Sequence, residues 1–163
     1  MKCPGCRESE MNEGRENYRY TESGLPNVTL VDVTVRQCPK CGNRVVAIPR
    51  LEGLHQMLAF LVATQTARLS GAEMRFLRKH LGWSGSDFAK TIGVAPETVS
   101  RWENEKEPMG VVAERLLRLM ALREKPVSEY PTEKLAEVAQ DNAHPPRLSL
   151  RASKTGWHED KAA

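Results

Sequence analysis

The chain has 163 residues, 40% of them hydrophobic and 28% charged, with a net charge of +3. That length suits one moderate domain or two small ones, and a surplus this small permits nucleic-acid binding without identifying it. No apolar run approaches the roughly 18 residues that span a bilayer, and the opening Met-Lys-Cys-Pro-Gly-Cys has no apolar segment for export, so the expected address is the cytoplasm.

All four cysteines fall in two Cys-x-x-Cys pairs, Cys3 with Cys6 and Cys38 with Cys41. Each short loop turns two sulfurs toward one point, and two such loops close a tetrahedral shell, the pattern of structural zinc. Four protein sulfurs leave no coordination position for water, which argues against catalytic zinc. The competing reading is a thioredoxin-like redox pair, but that motif needs one pair opening a helix, whereas these pairs lie among turn and strand residues. Gly42, just after the second pair, suits a positive φ that turns amides toward the sulfurs. Lys2, Arg7, Lys40 and Arg44 flank the pairs and are expected to offset the negative charge of a four-thiolate centre.

Between the pairs, Val31, Val33 and Val35 alternate with Asp32 and Thr34, a strand period, and Tyr18 and Tyr20 mark a strand before the turn at Glu22–Pro26. Val45, Val46 and Ile48 continue as a third. Residues 1–49 are expected to form a small β-rich zinc-binding domain, too small to hold together by burial alone, so the metal should supply much of its folding energy. From about Arg50 to Thr66 the period becomes helical, with Leu51, Leu54, Leu58 and Leu61 on one stripe widened by Met57 and Phe60. Residues 50–69 are therefore read as a connecting helix, packed on a neighbouring domain or forming a dimerisation surface.

Residues 70–125 read as a helical domain. Ser70 with Glu73, and Ser84 with Asp87, have capping-box spacing. The first helix places Met74, Leu77 and Leu81 inward, and the second buries Phe88, Ala89 and Ile92. Gly93 turns the chain into a third helix, from Pro96 to about Asn104, in which Val99 and Trp102 face the core while Glu97, Thr98, Ser100 and Arg101 point outward. A longer helix, about Val111 to Arg123, is expected to close the core through Val112, Leu116, Leu119, Met120 and Leu122. Two short helices joined by so tight a turn have helix-turn-helix geometry. The fold class expected is mainly α, with this helix-turn-helix bundle preceded by the small β-rich domain that carries the four-cysteine zinc site. Trp83 and Trp102 are read as core rather than base-stacking residues.

Through Phe-Leu-Arg-Lys-His-Leu-Gly-Trp-Ser, Asp-Phe-Ala-Lys-Thr-Ile-Gly-Val and Thr-Val-Ser-Arg-Trp-Glu-Asn, residues 70–124 resemble the Cro/repressor-type helix-turn-helix domain. Together with the cysteine pairs, residues 1 to about 124 resemble the MqsA-type antitoxins. The resemblance implies a zinc half that masks a toxin ribonuclease and a helix-turn-helix half that represses the operon, which makes double-stranded operator DNA a partner. It also implies that Pro96, Glu97 and Arg101 face base edges, that Ser84, Ser86 and Asn104 lie near phosphates, and that Arg78 pairs internally with Glu103. Arg101 is the strongest base reader, because its fork matches guanine O6 and N7; otherwise it is a solvated surface residue. One such domain covers one half-site, so a homodimer on an inverted repeat is expected.

The sequence departs from that family at several places, among them a connecting helix and an extension beyond Lys125 that are longer than the simplest such antitoxin requires. Ala95 stands where a capping serine or threonine is usual, a loss of roughly 1 kcal/mol. Glu97 can only accept a hydrogen bond, and Glu103-Asn104-Glu105 replaces the usual Glu-x-Gly turn. Residues 126–163 are read as a partly disordered extension with a short helix at Glu133–Gln140, an edge strand around Leu148 and Leu150, and a polar terminus. Trp157 there has no structural role in this reading and could dock a partner.

His55, His80, His144 and His158 have no triad or ligand spacing and no phosphate loop occurs, so the sequence gives no support for an enzyme. The alternative function is a stand-alone, zinc-containing transcriptional regulator without a toxin. An RNA-binding zinc ribbon is a weaker third, since the knuckles lack interleaved aromatics.

Overall fold

The computed structural model describes residues 1–123 and 144–161. Three strands, β1 (Asn12–Arg19), β2 (Val28–Gln37) and β3 (Arg44–Ala47), precede helices α1 (Leu51–Thr64), α2 (Gly71–His80), α3 (Gly85–Ile92), α4 (Pro96–Glu103) and α5 (Val111–Arg123). Two further strands follow, β4 (Leu148–Ala152) and β5 (Trp157–Glu159). Among the described residues a mixed sheet thus stands beside the helices, which corrects the expectation of a mainly α fold. The helix expected at Glu133–Gln140 lies outside the described residues.

β2 organises the sheet. β1 pairs antiparallel along one of its edges; the other edge is shared, with β3 antiparallel beside residues 34–37 and β4 parallel beside residues 28–30. β5 then pairs antiparallel with β4. A bulge sets the pleat: Val31 and Asp32 lie opposite Asn17, Asp32 takes a φ of 54°, and Asn17 Oδ1 accepts its amide at 3.1 Å. An extra residue exchanges the faces of a strand. Val28 and Leu30 before the bulge and Val33 and Val35 after it therefore all join one core, while Val31, though buried, stands outside that cluster. The simple alternation of Val31, Val33 and Val35 breaks at this point.

The carboxy-terminal segment is part of the sheet. β4 is an interior strand rather than an edge, with Leu148 and Leu150 fully enclosed, and Trp157 is only 3% exposed. Its indole Nε1 donates to the Pro49 carbonyl at 2.8 Å.

Helix α1 is the wall that sheet and helices share. Leu54, Leu58 and Val62, with Ala59 and Ala63, are buried in a cluster that takes in Tyr20, Val28 and Leu30 from the sheet side and Met74, Leu77, Phe88, Trp102 and Leu117 from the helices. The sheet is therefore not left to a metal alone, because its inner face belongs to the main hydrophobic core. Leu51, expected on the stripe, is half exposed in the first turn. Tyr20 Oη and His55 Nε2 lie 2.8 Å apart across this junction, and burial lowers the His55 pKa below its usual value.

Where α1 ends, a buried cation meets carbonyls of its last turn and of the segment just past it. Arg118 donates to the carbonyls of Gln65 at 2.6 Å, Ala63 at 3.3 Å and Ala67, and pairs with Glu114 at 2.6 Å; neither side chain is exposed at all. Glu114 also accepts from Arg68 Nε and the Leu69 amide. This requirement turns α5 over. Glu114, Leu117, Arg118 and Ala121 face inward, while Val112, Leu116 and Leu119 are 83%, 39% and 46% exposed. The expectation that Val112, Leu116 and Leu119 close the core is corrected accordingly; Met120 and Leu122 are half-buried against it.

Removing one partner of a buried charge pair costs about 3–5 kcal/mol, whereas an exposed change stays near 0.5 kcal/mol. Arg118→Met is expected to lose stability on the first scale and Leu119→Ala on the second, as read by urea unfolding.

Candidate functional site

Among the described residues, two arrangements are built for chemistry. At one end of the sheet, the loop before β1 and the loop between β2 and β3 bring four sulfurs together. Cys3 and Cys41 Sγ are 3.5 Å apart, Cys6 and Cys38 Sγ 3.6 Å, and all four lie within 4.8 Å of one another. The loops have the same construction. The Arg7 amide donates to the Cys3 carbonyl at 2.9 Å and the Gly42 amide to the Cys38 carbonyl at 3.0 Å. Each donor sits in the left-handed region, at φ 59° for Arg7 and 72° for Gly42. The sequence pointed to Gly42; Arg7 carries no such signal, because a non-glycine residue rarely adopts this conformation.

These separations fit a tetrahedral metal, since bonds of about 2.3 Å to zinc place sulfurs about 3.8 Å apart. The thiols are already unequal. The Cys6 backbone amide is the main cause holding Cys3 down to about 6. The Asn43 amide acts to lower the Cys41 pKa, yet the hydrogen bonds with Cys3 and Cys38 outweigh it and push the thiol up to about 11. A cation held by Cys3, Cys6, Cys38 and Cys41 would replace this sharing of protons with thiolate bonds. The flanking charges are arranged differently from expectation: Lys40 pairs with Glu8 and Arg44 with Glu16, so acids rather than sulfurs answer them. Cys3, Cys38 and Met11 form a small core of their own, packed by Cys6 and Val45.

The second arrangement is α2 to α4. Both capping boxes are complete: Ser70 Oγ accepts from the Glu73 amide while Glu73 accepts from Ser70, and Ser84 and Asp87 do the same for α3. Gly93 at φ 76° ends α3, and Val94 and Ala95 lead into α4. α4 has Pro96 in its first turn and no side-chain cap at Ala95. It is seated by Val99 and Trp102, both buried.

Charged groups fix its far end. Arg78 Nε and Nη2 donate to Glu103 at 2.6 and 3.1 Å, with both side chains nearly enclosed, and Arg75 Nε adds a bond at 2.9 Å. The Arg78 to Glu103 pair follows the resemblance; Arg75 was not foreseen. Glu105 accepts the Gly71 amide at 3.1 Å, so the acidic turn after α4 caps α2. A side chain at Gly71 would meet the Glu103 carbonyl at 2.4 Å, so the chains approach more closely than any other residue allows.

Of the residues expected at a DNA surface, Ser84, Ser86, Pro96, Glu97, Ser100, Arg101 and Asn104 are exposed and Thr98 is half-buried. The Ser84 hydroxyl is engaged by Asp87 at 2.6 Å, and Asn104 Nδ2 donates to the Ser100 carbonyl at 2.8 Å. Arg101 is 62% exposed and its nearest acid is Glu107 at 3.9 Å rather than Glu97. Such an exposed pair is weak, and the guanidinium is available. No helix among the described residues is long and apolar enough to cross a membrane.

A family model described as the antitoxin component of the bacterial toxin-antitoxin system, MqsA, matches residues 1–129. No curated protein matches the chain.

Burial acts to raise the Glu103 carboxyl, but the bonds from Arg78 and then Arg75 outweigh it and hold the pKa below the ordinary 4.5. A depressed carboxyl stabilises the fold in full above the unfolded value and loses that contribution as pH falls through the folded one. The stability difference between the parent and Glu103→Gln, measured by denaturant unfolding, is therefore expected to be constant near neutrality and to shrink below about pH 4.5.

Proposed function

The chain belongs to the MqsA family of antitoxin components of bacterial toxin-antitoxin systems, and on that premise we propose that it is a zinc-containing, sequence-specific DNA-binding repressor of its own operon. In this reading α3 and α4 form a helix-turn-helix with α4 as the reading helix, and the amino-terminal half, residues 1–49, masks a toxin ribonuclease. The observation that carries the DNA half is the short α3–α4 turn, which ends in a helix seated by Val99 and Trp102 and presents Glu97, Ser100 and Arg101 to solvent.

Arg101 reads a guanine through a bidentate contact, and Glu97 favours the amino group of a cytosine or excludes other bases. Pro96 and Thr98 lie beside them, and Ser84, Ser86 and Asn104 serve the phosphate track, with the amides at the start of α3 attracting a phosphate. Because the Ser84 hydroxyl caps its own helix, its contribution runs through the α3 amino terminus more than through a free hydroxyl. A homodimer spans two half-sites about one helical turn apart. The exposed stripe of Val112, Leu116 and Leu119 offers an apolar face for the second copy.

Zinc is the metal proposed for Cys3, Cys6, Cys38 and Cys41, in a closed four-sulfur site that is structural. When bound, zinc supplies a cross-link between the two loops and no reaction. The protein's own part is to hold the loops in matching turns and to bury Cys3 and Cys38.

Arg101→Ala is expected to lose sequence-specific operator retention, about 1–3 kcal/mol of discrimination, while weak salt-sensitive binding and the fold persist. A gel shift at fixed salt with unchanged operator affinity would overturn α4 as the reading helix. Metal analysis tests the other half: one equivalent of zinc per chain is expected, and Cys38→Ser should lose it together with amino-terminal structure seen by amide NMR.

A further inference from the structure

Most arginines of the sheet are answered by acids: Arg15 pairs with Asp32, Arg36 with Glu13, Arg44 with Glu16 and Arg151 with Asp160. Two are not. Among the described residues Arg19, at the end of β1, and Arg147, just before β4, have no acidic partner, and both line one cleft of about 460 Å³. The register fixes its face. Tyr18, Leu30 and Leu150 form a row across β1, β2 and β4 on the side of the main core, so the adjoining row, Arg19, Thr29 and Ser149, points the opposite way.

The cleft is built to donate. Asn17, Asn27, Thr29 and Ser149 join the two arginines in its lining, and no aspartate or glutamate does. Arg19 Nη2 donates to the Pro26 carbonyl at 3.1 Å, which orients the guanidinium and leaves its other N–H groups for another acceptor. Arg147 is positioned by its neighbours. Asn27 Nδ2 donates to the Pro146 carbonyl at 2.7 Å, and the Leu148 amide donates to the Asn27 carbonyl at 3.0 Å. Asn17 gives Oδ1 to the Asp32 amide and so keeps its Nδ2 donors. Ser149 is only 9% exposed, yet among the described residues its side-chain hydroxyl has no hydrogen-bond partner, although a polar group so enclosed ordinarily has one.

An anion matches this set. Guanidinium groups, hydroxyls and a primary amide all donate, and the planar guanidinium fork suits the oxygens of a phosphate. The cleft has the volume of a small-molecule site and exceeds what a phosphate alone needs, which leaves room for an organic part. Two cations without a counter-charge favour a doubly charged monoester over the singly charged diester of a nucleic-acid backbone. We propose that the cleft between β1, β2 and β4 binds the phosphate group of a small phosphomonoester, gripped by Arg19 and Arg147 with Thr29 and Ser149 as hydroxyl donors. Arg147 and Ser149 lie beyond residue 129, where the family match ends, so the site goes beyond what membership in the family supplies.

The test is an amide-shift titration of the full-length, ¹⁵N-labelled chain with methyl phosphate, dimethyl phosphate and short duplex DNA. Methyl phosphate, a dianion above its second pKa of about 6, is expected to give saturable shifts at Thr29 and Ser149 with a Kd of about 1 mM. Dimethyl phosphate, a monoanionic diester, is expected to bind about tenfold more weakly. Arg19→Gln and Arg147→Gln are each expected to weaken methyl phosphate about tenfold, the loss of a charge-assisted bond. Arg15→Gln removes the same charge from β1 outside the cleft and is expected to leave the affinity unchanged. All three arginines are exposed, so the folded spectrum is expected to persist in each variant. Absence of a saturable shift at Thr29 and Ser149, or equal weakening by Arg15→Gln and Arg147→Gln, would remove the site. Equal affinity for the two esters, or shifts there with duplex DNA alone, would count against a small monoester and give the cleft to a nucleic-acid backbone.

Discussion

A guanidinium with no exposure holds the corner where α1 stops and α5 passes beneath it. A buried charge is costly to desolvate, and Arg118 is tolerated because Glu114 and the carbonyls at the end of α1 satisfy its donors. Its bond to the Ala63 carbonyl meets one of the orphans a helix carboxy terminus leaves behind, and its bonds to Gln65 and Ala67 hold the chain just past the helix, so one side chain answers two needs. The same corner continues in polar contacts. Glu114 takes the Leu69 amide, and Gln65 donates to Glu73 at 3.0 Å while Glu73 caps α2.

From α2 the constraint passes to α4. Arg75 and Arg78 project from α2 to Glu103, and Glu105 returns a bond to the first amide of α2. The departures from the usual pattern around α4 have a physical account here: Glu105 does structural duty, and Pro96 starts a helix that has no side-chain cap. Buried apolar contacts at Val99 and Trp102 together with buried charge at Glu103 orient α4 from below and leave its upper face to solvent. That division lets the exposed residues of α4 be changed without disturbing its seat.

The sheet is governed by another local device, the bulge at Asp32. It allows both halves of β2 to face α1, and so allows the amino-terminal module to share a core with the helices. The cysteines then lie beyond this shared core with their own small cluster, where burial is least able to hold two loops together and a metal contributes most. The exposed apolar stripe on α5 is the counterpart of the same economy of faces, since the helix turned its polar side inward to meet α1.

Local chemistry was legible in the sequence. Cysteine spacing gathered four sulfurs, serine and acid three apart capped α2 and α3, Gly93 ended α3, and Val99 with Trp102 faced inward, because each depends on residues within one or two turns of one another. What depended on distant partners was not legible. The period of α5 fits two stripes, and only the end of α1, some 50 residues earlier in the chain, selects the one with Glu114 and Arg118. The bulge at Asp32 needs Asn17 across the sheet, and β4 becomes an interior strand only beside Val28 and Leu30. Trp157 gains its place from Pro49, 108 positions away. Caps, turns and ligand loops could be read along the chain because their energies are local. Which faces are buried was settled in three dimensions, because burial depends on whatever surface arrives from elsewhere in the chain.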